Sequence, residues 1–498
     1  MNKTELIVFI AYLVFMVGIG LYFFFRHRSG GEKDYFLGGR KMGPWVSALS
    51  AGASDMSAWV LMGLPASIYA FGVGKTWIAI GLAIGYALSW IFLAPRLRRY
   101  SIAAKDSITI PQFLTNRFLS ASRLLQIVCA LIFAIAYTIY AASSFKACGT
   151  LFNQVIGIDA RYAMIIAAVI IVCYTFLGGF SAVCWTDFFQ GMLMLAALLA
   201  APLFALGAIN GGKAASDAAG LPKDYWKLFT NWKDVASGLG WGIGYFGMPH
   251  IIIRFMAIRS ENDLKKSRII GISWNCLILA FSVFAGLVGR KLLGDVLLAN
   301  EELNIKDASD TVFIKMAHNL FPSLISGLLL SSILAASMST ADSQLLASSS
   351  AFASDVYKPV IRKEKAGDRE MLWAGRILVF VIAAIALLIA ANPKSKTIMG
   401  LVENAWGVFG AAFAPTILLS LFWRRFNFEG ALAGIVTGAA VDILWLAFLS
   451  STGVYEIIPG AALGLIAAVA VTLLTKAPGD DVTKLFDEVN AKKDTKAD

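Results

Sequence analysis

The residues with the clearest potential for chemistry are a carboxylate and two hydroxyls inside one apolar stretch. Asp55 lies between Ser54 and Ser57, and Gly52 precedes them. A charged side chain at mid-membrane costs on the order of 3 kcal/mol or more, and an interrupted helix frees backbone carbonyls that bind a cation. These hard oxygen ligands suit sodium better than a transition metal. The stretch therefore predicts a sodium site, although serines in membrane helices also bond back to the carbonyl one turn earlier.

A second stretch, from Gly238 to Pro249, contains five glycines and a proline within twelve residues. Glycine weakens a helix and proline removes one of its hydrogen bonds, so no regular helix is expected here. Close helix packing is another use of such glycines. However, this stretch and the one around Asp55 each open a group of five apolar runs, and paired broken helices in inverted repeats mark the central site of transporters. We therefore predict that the two stretches form one site.

A third cluster adds hydroxyls near the end of a later apolar run. Ala336, Ser339 and Thr340 stand at i, i+3 and i+4, so one carbonyl and two hydroxyls share a helix face. This set supplies most of a sodium cage. Asp342 and Asp187 lie near the ends of their runs, where ion exit, gating, helix capping or an ion pair would each explain a carboxylate.

Membrane helices must position these residues. Of the 498 residues, 58% are hydrophobic and 15% are charged, whereas a soluble domain has roughly 25% charged residues. The five cysteines show no C-x-x-C spacing, which argues against a disulfide framework and a zinc site. We predict about thirteen crossings, at 5–25, 44–72, 76–95, 124–150, 161–182, 187–209, 234–258, 269–289, 322–347, 372–392, 398–423, 428–450 and 456–475.

The distribution of positive charge predicts the orientation. Cytoplasmic loops collect Lys and Arg, and most of the 43 such residues fall inside if the N-terminus is outside and the C-terminus is cytoplasmic. The net charge of +11 then reflects loops beside an anionic membrane surface, and we expect no nucleic-acid partner. The tail 479–498 is charged and lacks a long apolar face, so we expect a solvated or frayed end on the cytoplasmic side.

Four stretches resemble the sodium/solute symporter family: Asp34–Arg40, Ser47–Pro65, Trp241–His250 and Ala335–Thr340. The resemblance implies an all-α polytopic membrane protein with a leucine-transporter-like, five-plus-five inverted repeat, broken helices and additional helices at both ends. It implies a single transmembrane domain over 1–478, with repeats at about 44–209 and 234–423, in the cytoplasmic membrane of a bacterium. It also implies import of a small solute, L-proline first, with co-transported sodium by alternating access, and no obligatory protein partner.

The resemblance also assigns roles to individual residues. Sodium would be held by the carbonyls of Ala53, Met56 and Ala336 and the hydroxyls of Ser339 and Thr340, with Asp55 at or near the ion path. The solute would lie near Ser57, Trp59, Tyr140, Trp241, Tyr245 and Pro249. Arg376 matches a family position and would serve a cytoplasmic gate, although a positive anchor at the inner surface explains it equally well.

Other functions remain open at this stage. A channel would need a continuous polar pore, which the hydroxyl cluster alone does not exclude. An enzyme is disfavoured because the three histidines are scattered and no nucleophile with an oriented base is evident. Met248 is apolar where a polar residue is expected in members that carry proline, so pantothenate, a sugar or a monocarboxylate are alternative solutes.

Overall fold

The computed structural model describes residues 3–26, 32–213, 221, 223–298, 310–392 and 397–491. The described chain is helical, and its sole β pairing is one isolated parallel bridge between Met42 and Ile258. The α-helices are α1 Lys3–Arg26, α2 Glu32–Leu37, α3 Pro44–Ala53, α4 Ala58–Leu61, α5 Gly63–Phe71, α6 Thr76–Leu88, α7 Ala94–Ala103, α8 Ile110–Arg117, α9 Leu124–Ile156, α10 Ala160–Ala208, α11 Trp232–Gly240, α12 Pro249–Ala257, α13 Glu261–Leu293, α14 Val312–Leu320, α15 Ser323–Phe352, α16 Asp368–Ala391, α17 Ile398–Phe422, α18 Phe428–Phe448, α19 Ile457–Leu474 and α20 Asp480–Ala491.

Ten helical segments of the described residues are long and apolar enough to cross a membrane: Lys3–Phe25, Val73–Ala103, Leu124–Ile156, Ala160–Gly212, Glu261–Leu293, Ser323–Ile361, Asp368–Ala391, Ile398–Phe422, Phe428–Phe448 and Ile457–Leu474. The prediction of about thirteen crossings counts α10 as two, and it adds the two broken helices, whose pieces are too short to be counted among the ten. The number thirteen stays a prediction.

The first predicted break is present between α3 and α4. The regular helix ends at Ala53, and residues 54–57 form a turn and a short non-helical link before α4 begins. Ser57 has extended backbone angles and caps α4 by accepting a hydrogen bond from the backbone N–H of Trp59 at 3.5 Å. The local cause is a run of small and polar residues, whose side chains compete with the backbone for hydrogen bonds.

The second predicted break is also present, between α11 and α12. A 3₁₀ turn, Trp241–Phe246, follows α11, and Met248 takes an extended conformation before Pro249 starts α12. Proline is favoured at the first position of a helix because its missing N–H would have no helical partner there. The glycines and the proline therefore act as the sequence indicated.

The helix α10 corrects a predicted boundary. We placed a turn between residues 182 and 187, but the described helix continues there and its one non-helical residue is Gly179, at φ +59° and ψ −161°. Glycine adopts a positive φ without the steric cost that other residues meet, so the Gly178-Gly179 pair is the weak point. Asp187 consequently lies inside a helix rather than at its end.

The C-terminal tail differs from the expectation of a solvated or frayed end. Residues Asp480–Ala491 form α20, which buries Val482, Phe486 and Val489. The ring of Phe486 lies 6.3 Å from that of Tyr100 on α7. The three buried residues recur at helical spacing, so α20 presents a short apolar face to the bundle.

Helix α15 is the central element of the bundle. In the span Ser323–Ile361, which contains α15, 83% of the residues in an apolar stretch of 18 are buried, compared with 17% in the span Lys3–Phe25. It packs on α9, α10 and α1 and runs past the first break. Its position brings the hydroxyl cluster of the sequence into the middle of the protein.

A glycine seam joins α6 to the second break. A Cβ on Gly81 or Gly85 would overlap the carbonyl oxygen of Gly238 or Gly242, respectively. Backbone therefore rests directly on backbone along this seam. The absent side chains let α11 and the 3₁₀ turn, which carries Trp241, lie close to α6.

Substituting Gly85 by Ala should destabilise the protein, because the new methyl group meets backbone that cannot turn aside. We expect a loss of about 1–3 kcal/mol and a lower midpoint of thermal unfolding in detergent, followed by size-exclusion chromatography. Gly18→Ala on α1 is the matched control, since no atom apart from its chain neighbours and the nearby backbone of its own helix lies within 4 Å of the new methyl group. Equal unfolding midpoints for the two variants would contradict the close packing.

Candidate functional site

The hydroxyl of Ser339 joins α15 to the first break. It donates to the carbonyl of Ala53 at 2.8 Å and lies 3.2 Å from the carbonyl of Ala336. The hydroxyl of Thr340 is buried and has no hydrogen-bond partner among the described residues. Met56 lies in the same break and is fully buried. The structure therefore brings Ala53, Ala336 and Ser339 together, with Thr340 one residue further along α15.

Asp55 lies on the other side of the break and faces the second broken helix. One of its carboxyl oxygens accepts a hydrogen bond from the hydroxyl of Tyr245. The amide of Asn275 on α13 donates to that same hydroxyl at 3.5 Å. The other carboxyl oxygen of Asp55 is buried without a partner in the described chain. Asp55 thus links the two breaks instead of pointing at the Ser339 hydroxyl.

The backbone of the first break is held by aromatic side chains. The carbonyl of Asp55 accepts from the indole nitrogen of Trp59 at 3.2 Å and from the hydroxyl of Tyr140 at 3.4 Å. The ring of Trp241 lies 6.4 Å from that of Trp59. All of these side chains are at most 3% exposed. The predicted solute residues therefore converge, and Ser57 and Pro249 begin the helices on either side of them.

Trp406 on α17 completes this aromatic group and was not predicted. Its indole nitrogen donates to the carbonyl of Trp241 at 2.8 Å, and its ring lies 5.2 Å from that of Tyr245. Its ring occupies the space that Gly244 leaves open. The sequence signal was a single tryptophan in a run of small residues, which does not reveal its partner.

Arg254 falls near the end of the predicted crossing 234–258, and the structure places it in a charged network that the sequence did not predict. It lies on α12 at 2% exposure and forms an ion pair with Asp187 at 2.9 Å. Its guanidinium also donates to Ser50 at 2.7 Å and to Ser343 at 2.6 Å. Ser50 in turn donates to Asp187 at 2.6 Å. Asp187 therefore forms an ion pair, and this network ties α3, α10, α12 and α15 together.

Asp342 and Arg376 lie around this network. Asp342 accepts from the hydroxyl of Tyr174 at 2.7 Å and from Ser343 at 3.2 Å. Arg376 donates to the carbonyl of Phe176 at 3.1 Å, and its guanidinium lies 5.2 Å from that ring. Both residues therefore contact the first half of α10, which precedes Gly179. Neither is part of the group around Ser339.

The Arg40 end of the bundle, defined by Arg40 and the loops it contacts, is closed by hydrogen bonds. Arg40 donates to Asp106 at 2.9 Å and to the carbonyl of Met256 at 2.6 Å. Burial would raise the pKa of Asp106, but the hydrogen bond from Lys33 and the charge of Arg40 lower it below its usual value. Asp106 is therefore ionised at neutral pH and holds the two basic side chains.

The opposite end, which we call the Lys75 end, contains a cleft. Its volume is about 300 Å³, and Trp241 and Tyr455 lie among its lining residues. Lys75 and Asp234 form an ion pair of 3.0 Å at this cleft. The cleft at the Lys75 end therefore reaches the aromatic group through Trp241.

Comparison with known proteins identifies the family. The model of the sodium:solute symporter family matches residues 35–438. This chain is a member of the sodium:solute symporter family. It is therefore a multi-pass membrane transporter that uses sodium, and not an enzyme.

Relatives of this symporter extend over nearly the whole chain. It is 42% identical to the high-affinity proline transporter PutP of Bacillus subtilis (strain 168), over 94% of this chain and 98% of the relative. It is 44% identical to the osmoregulated proline transporter OpuE of the same strain, over 95% and 96%. A sodium/proline symporter of Staphylococcus aureus (strain USA300 / TCH1516) is 41% identical, over 99% and 97%.

Solved structures share the fold of this symporter. A Na+-coupled sialic acid symporter in a substrate-bound, outward-open state superposes with a TM-score of 0.77 at 20% identity, over 96% of this chain and 99% of that one. MhsT in complex with L-phenylalanine gives a TM-score of 0.56 at 13% identity, over 87% and 98%. These likenesses confirm the predicted leucine-transporter-like architecture.

Removing Arg254 should destabilise this symporter strongly, because Asp187 would remain charged and buried without its partner. We expect Arg254→Ala to cost about 3–5 kcal/mol, and Asp187→Ala in the same chain to restore part of the loss. Unfolding midpoints of the two single variants and the double variant measure the coupling.

The control for this cycle is Arg424→Ala, which removes an ion pair to Asp487 in which both side chains are about half exposed. Such surface pairs contribute about 0–1 kcal/mol. Single losses at Arg254 and Asp187 that simply add in the double variant would show that the pair is not coupled.

Proposed function

We propose that this protein imports L-proline together with sodium by alternating access. The observation that carries the proposal is the hydrogen bond from Tyr245 to Asp55, because it joins the predicted solute side and the predicted ion side into one site. Relatives described as proline transporters, which match nearly the full length, support proline as the solute. One transmembrane domain over 1–478, with repeats at 44–209 and 234–423, belongs to the same proposal.

The proposed sodium ligands are the carbonyls of Ala53, Met56 and Ala336 and the hydroxyls of Ser339 and Thr340. Two facts support this set. The Ser339 hydroxyl already spans two of the carbonyls, and the Thr340 hydroxyl is buried with its hydrogen-bonding capacity unused. Rotation of the Ser339 proton away from Ala53 would present five oxygens to a sodium ion, which is a hard cation that prefers such ligands. Asp55 acts beside this site as part of the ion path.

The proposed solute site consists of Ser57, Trp59, Tyr140, Trp241, Tyr245 and Pro249. Aromatic faces enclose the apolar pyrrolidine ring, while hydroxyls and freed backbone groups contact the charged ends of the amino acid. Trp406 is added to this group because it holds the carbonyl of Trp241. The burial of these side chains supplies the water-free surroundings in which few polar contacts give specificity.

Orientation and gating complete the proposal. The Arg40 end faces the cytoplasm of a bacterium, since basic residues gather on the inner side. The N-terminus is then outside and α20 is cytoplasmic. Asp187, Asp342 and Arg376 serve the passage between the ion site and the cytoplasm. Arg254 must reorganise with Asp187 whenever this passage opens.

The sodium gradient supplies the driving force. At about 100 mV, one inward charge contributes about 2.3 kcal/mol, and a roughly tenfold sodium gradient adds about 1.4 kcal/mol. Coupling one sodium ion to one solute then permits accumulation on the order of several hundredfold.

Substituting Ser339 and Thr340 by Ala should raise the sodium concentration for half-maximal uptake by roughly tenfold or more, because two ligands of a charged group are lost. Labelled proline uptake into proteoliposomes at graded sodium concentrations measures it. The control is Ser337→Ala on the same helix, whose hydroxyl bonds back to the carbonyl of Ile333 at 2.9 Å. Unchanged sodium dependence in the double variant would mean that these hydroxyls serve helix packing alone.

Unlabelled L-proline should compete fully with labelled proline in sodium-driven uptake, whereas pantothenate, glucose and lactate should not. The reason is that the aromatic rings of Trp59 and Trp241 suit an apolar ring such as that of proline. Saturable uptake that requires sodium would distinguish a symporter from a channel, in which sodium flux is indifferent to solute. If another solute competes and proline does not, the proposed solute is wrong while the ion site stands.

A further inference from the structure

Asp442 is a fully buried carboxylate on α18, in the tight packing of α17, α18 and α19. It is 0% exposed, and neither carboxyl oxygen has a hydrogen-bond partner among the described residues. The helices approach closely because Gly438 and Gly460 both face Ala411. A charged carboxylate in such surroundings is strongly unfavourable unless something neutralises it. Asp442 has no role in the site described above.

A second acid converges on the same point. Glu456, which directly precedes α19, is 6% exposed. A Cβ placed on Gly407 of α17 would lie 2.8 Å and 3.3 Å from the two carboxyl oxygens of Asp442 and 3.3 Å from Cγ of Glu456. The two side chains therefore meet at a small space that exists because residue 407 has no side chain.

The charges around this space are negative. In the part of the chain that the structure describes, Asp442 takes part in no ion pair. The charged group that interacts electrostatically with its carboxylate is Glu456. From α17 the nearest acid is Glu403, whose backbone carbonyl accepts from the hydroxyl of Tyr455 at 2.9 Å. The groups that face Asp442 from α17 and from the start of α19 are thus acidic or neutral. Such surroundings attract a cation.

A route from the water exists at the Lys75 end. Glu456, Glu403 and Tyr455 line the cleft of about 300 Å³ that also reaches Trp241. A small cation in this cleft meets Glu456 first, and Asp442 lies behind it. Lys75 is the basic residue of the cleft, and it is already paired with Asp234.

We propose that Asp442 and Glu456 form a binding site for a small monovalent cation, a proton or a sodium ion, separate from the site at Ser339. Either cation neutralises the buried carboxylate, a proton by being shared between the two acids and sodium by coordination to their oxygens. The site adjoins Trp406, which directly precedes Gly407 in the chain. The indole nitrogen of Trp406 donates to the carbonyl of Trp241. A cation bound at this site therefore affects the position of Trp406 and of the aromatic group around Trp241, whichever solute the protein carries.

Equilibrium binding of ²²Na⁺ to the purified protein in lipid nanodiscs tests the sodium form. The measurement uses the Ser339→Ala, Thr340→Ala chain, so that the first sodium site is weakened. Saturable binding that persists in this background and is lost on adding Asp442→Asn supports the proposal with sodium as occupant. Glu429→Gln, an exposed acid on the same helix, is the matched control and should leave that binding unchanged.

Infrared difference spectra of the otherwise unaltered protein test the proton form. Without sodium, we expect a carbonyl band of a protonated carboxyl group that is lost in Asp442→Asn and retained in Glu429→Gln. Glu456→Gln probes the same site from its less buried member and decides the question if Asp442→Asn does not fold. Sodium binding and carboxyl bands that match the otherwise unaltered protein in both variants would overturn the proposal, whether or not proline is the solute.

Discussion

Within a bilayer, a backbone group that leaves a helix must find its partner inside the protein, because lipid offers none. The broken helices meet this requirement through each other and through α15. The carbonyl of Ala53 accepts from Ser339, and that of Asp55 accepts from Trp59 and Tyr140. The side chains that satisfy the freed backbone are those that the proposed site uses. Backbone satisfaction and site assembly are therefore one constraint.

The Arg254 network illustrates a second consequence of burial. Four helices contribute to it, so the complete set of hydrogen bonds forms only when all four are in place. A buried ion pair adds little net stability relative to apolar packing, but breaking one side of it is costly. Such a pair therefore favours a small number of discrete arrangements over a continuous range. Discrete arrangements are what alternating access requires.

The two breaks were predictable because glycine and proline act locally, whatever the rest of the chain does. The contact between Ser339 and Ala53 followed from helical spacing together with the family resemblance. Arg254 was not predicted as a partner of Asp187 because a positive residue near the end of an apolar run looks the same at the membrane surface and inside a bundle. Its partner, Asp187, lies 67 residues away in sequence, and no local pattern connects the two.

Other features were hidden for related reasons. The apolar face of α20 consists of only three residues, and its burial depends on Tyr100 on a distant helix. Asp442 is a single acid in a long apolar run, where averaged hydropathy conceals it. Trp406 is conspicuous in type, but its function depends on a carbonyl supplied by the second break. In each case the missing information is the identity of a tertiary neighbour.

The glycine seam between α6 and the second break has a mechanical consequence. Helices that interlock through side chains hold each other in a fixed register, because a ridge must climb out of its groove before it can slide. Gly81 and Gly85 meet Gly238 and Gly242 without such ridges. The seam therefore has no side-chain ridges that would oppose sliding of one segment along the other. A short displacement along it leaves the contact intact, so the Lys75 end of the broken helix can shift without first being pulled away from its neighbour.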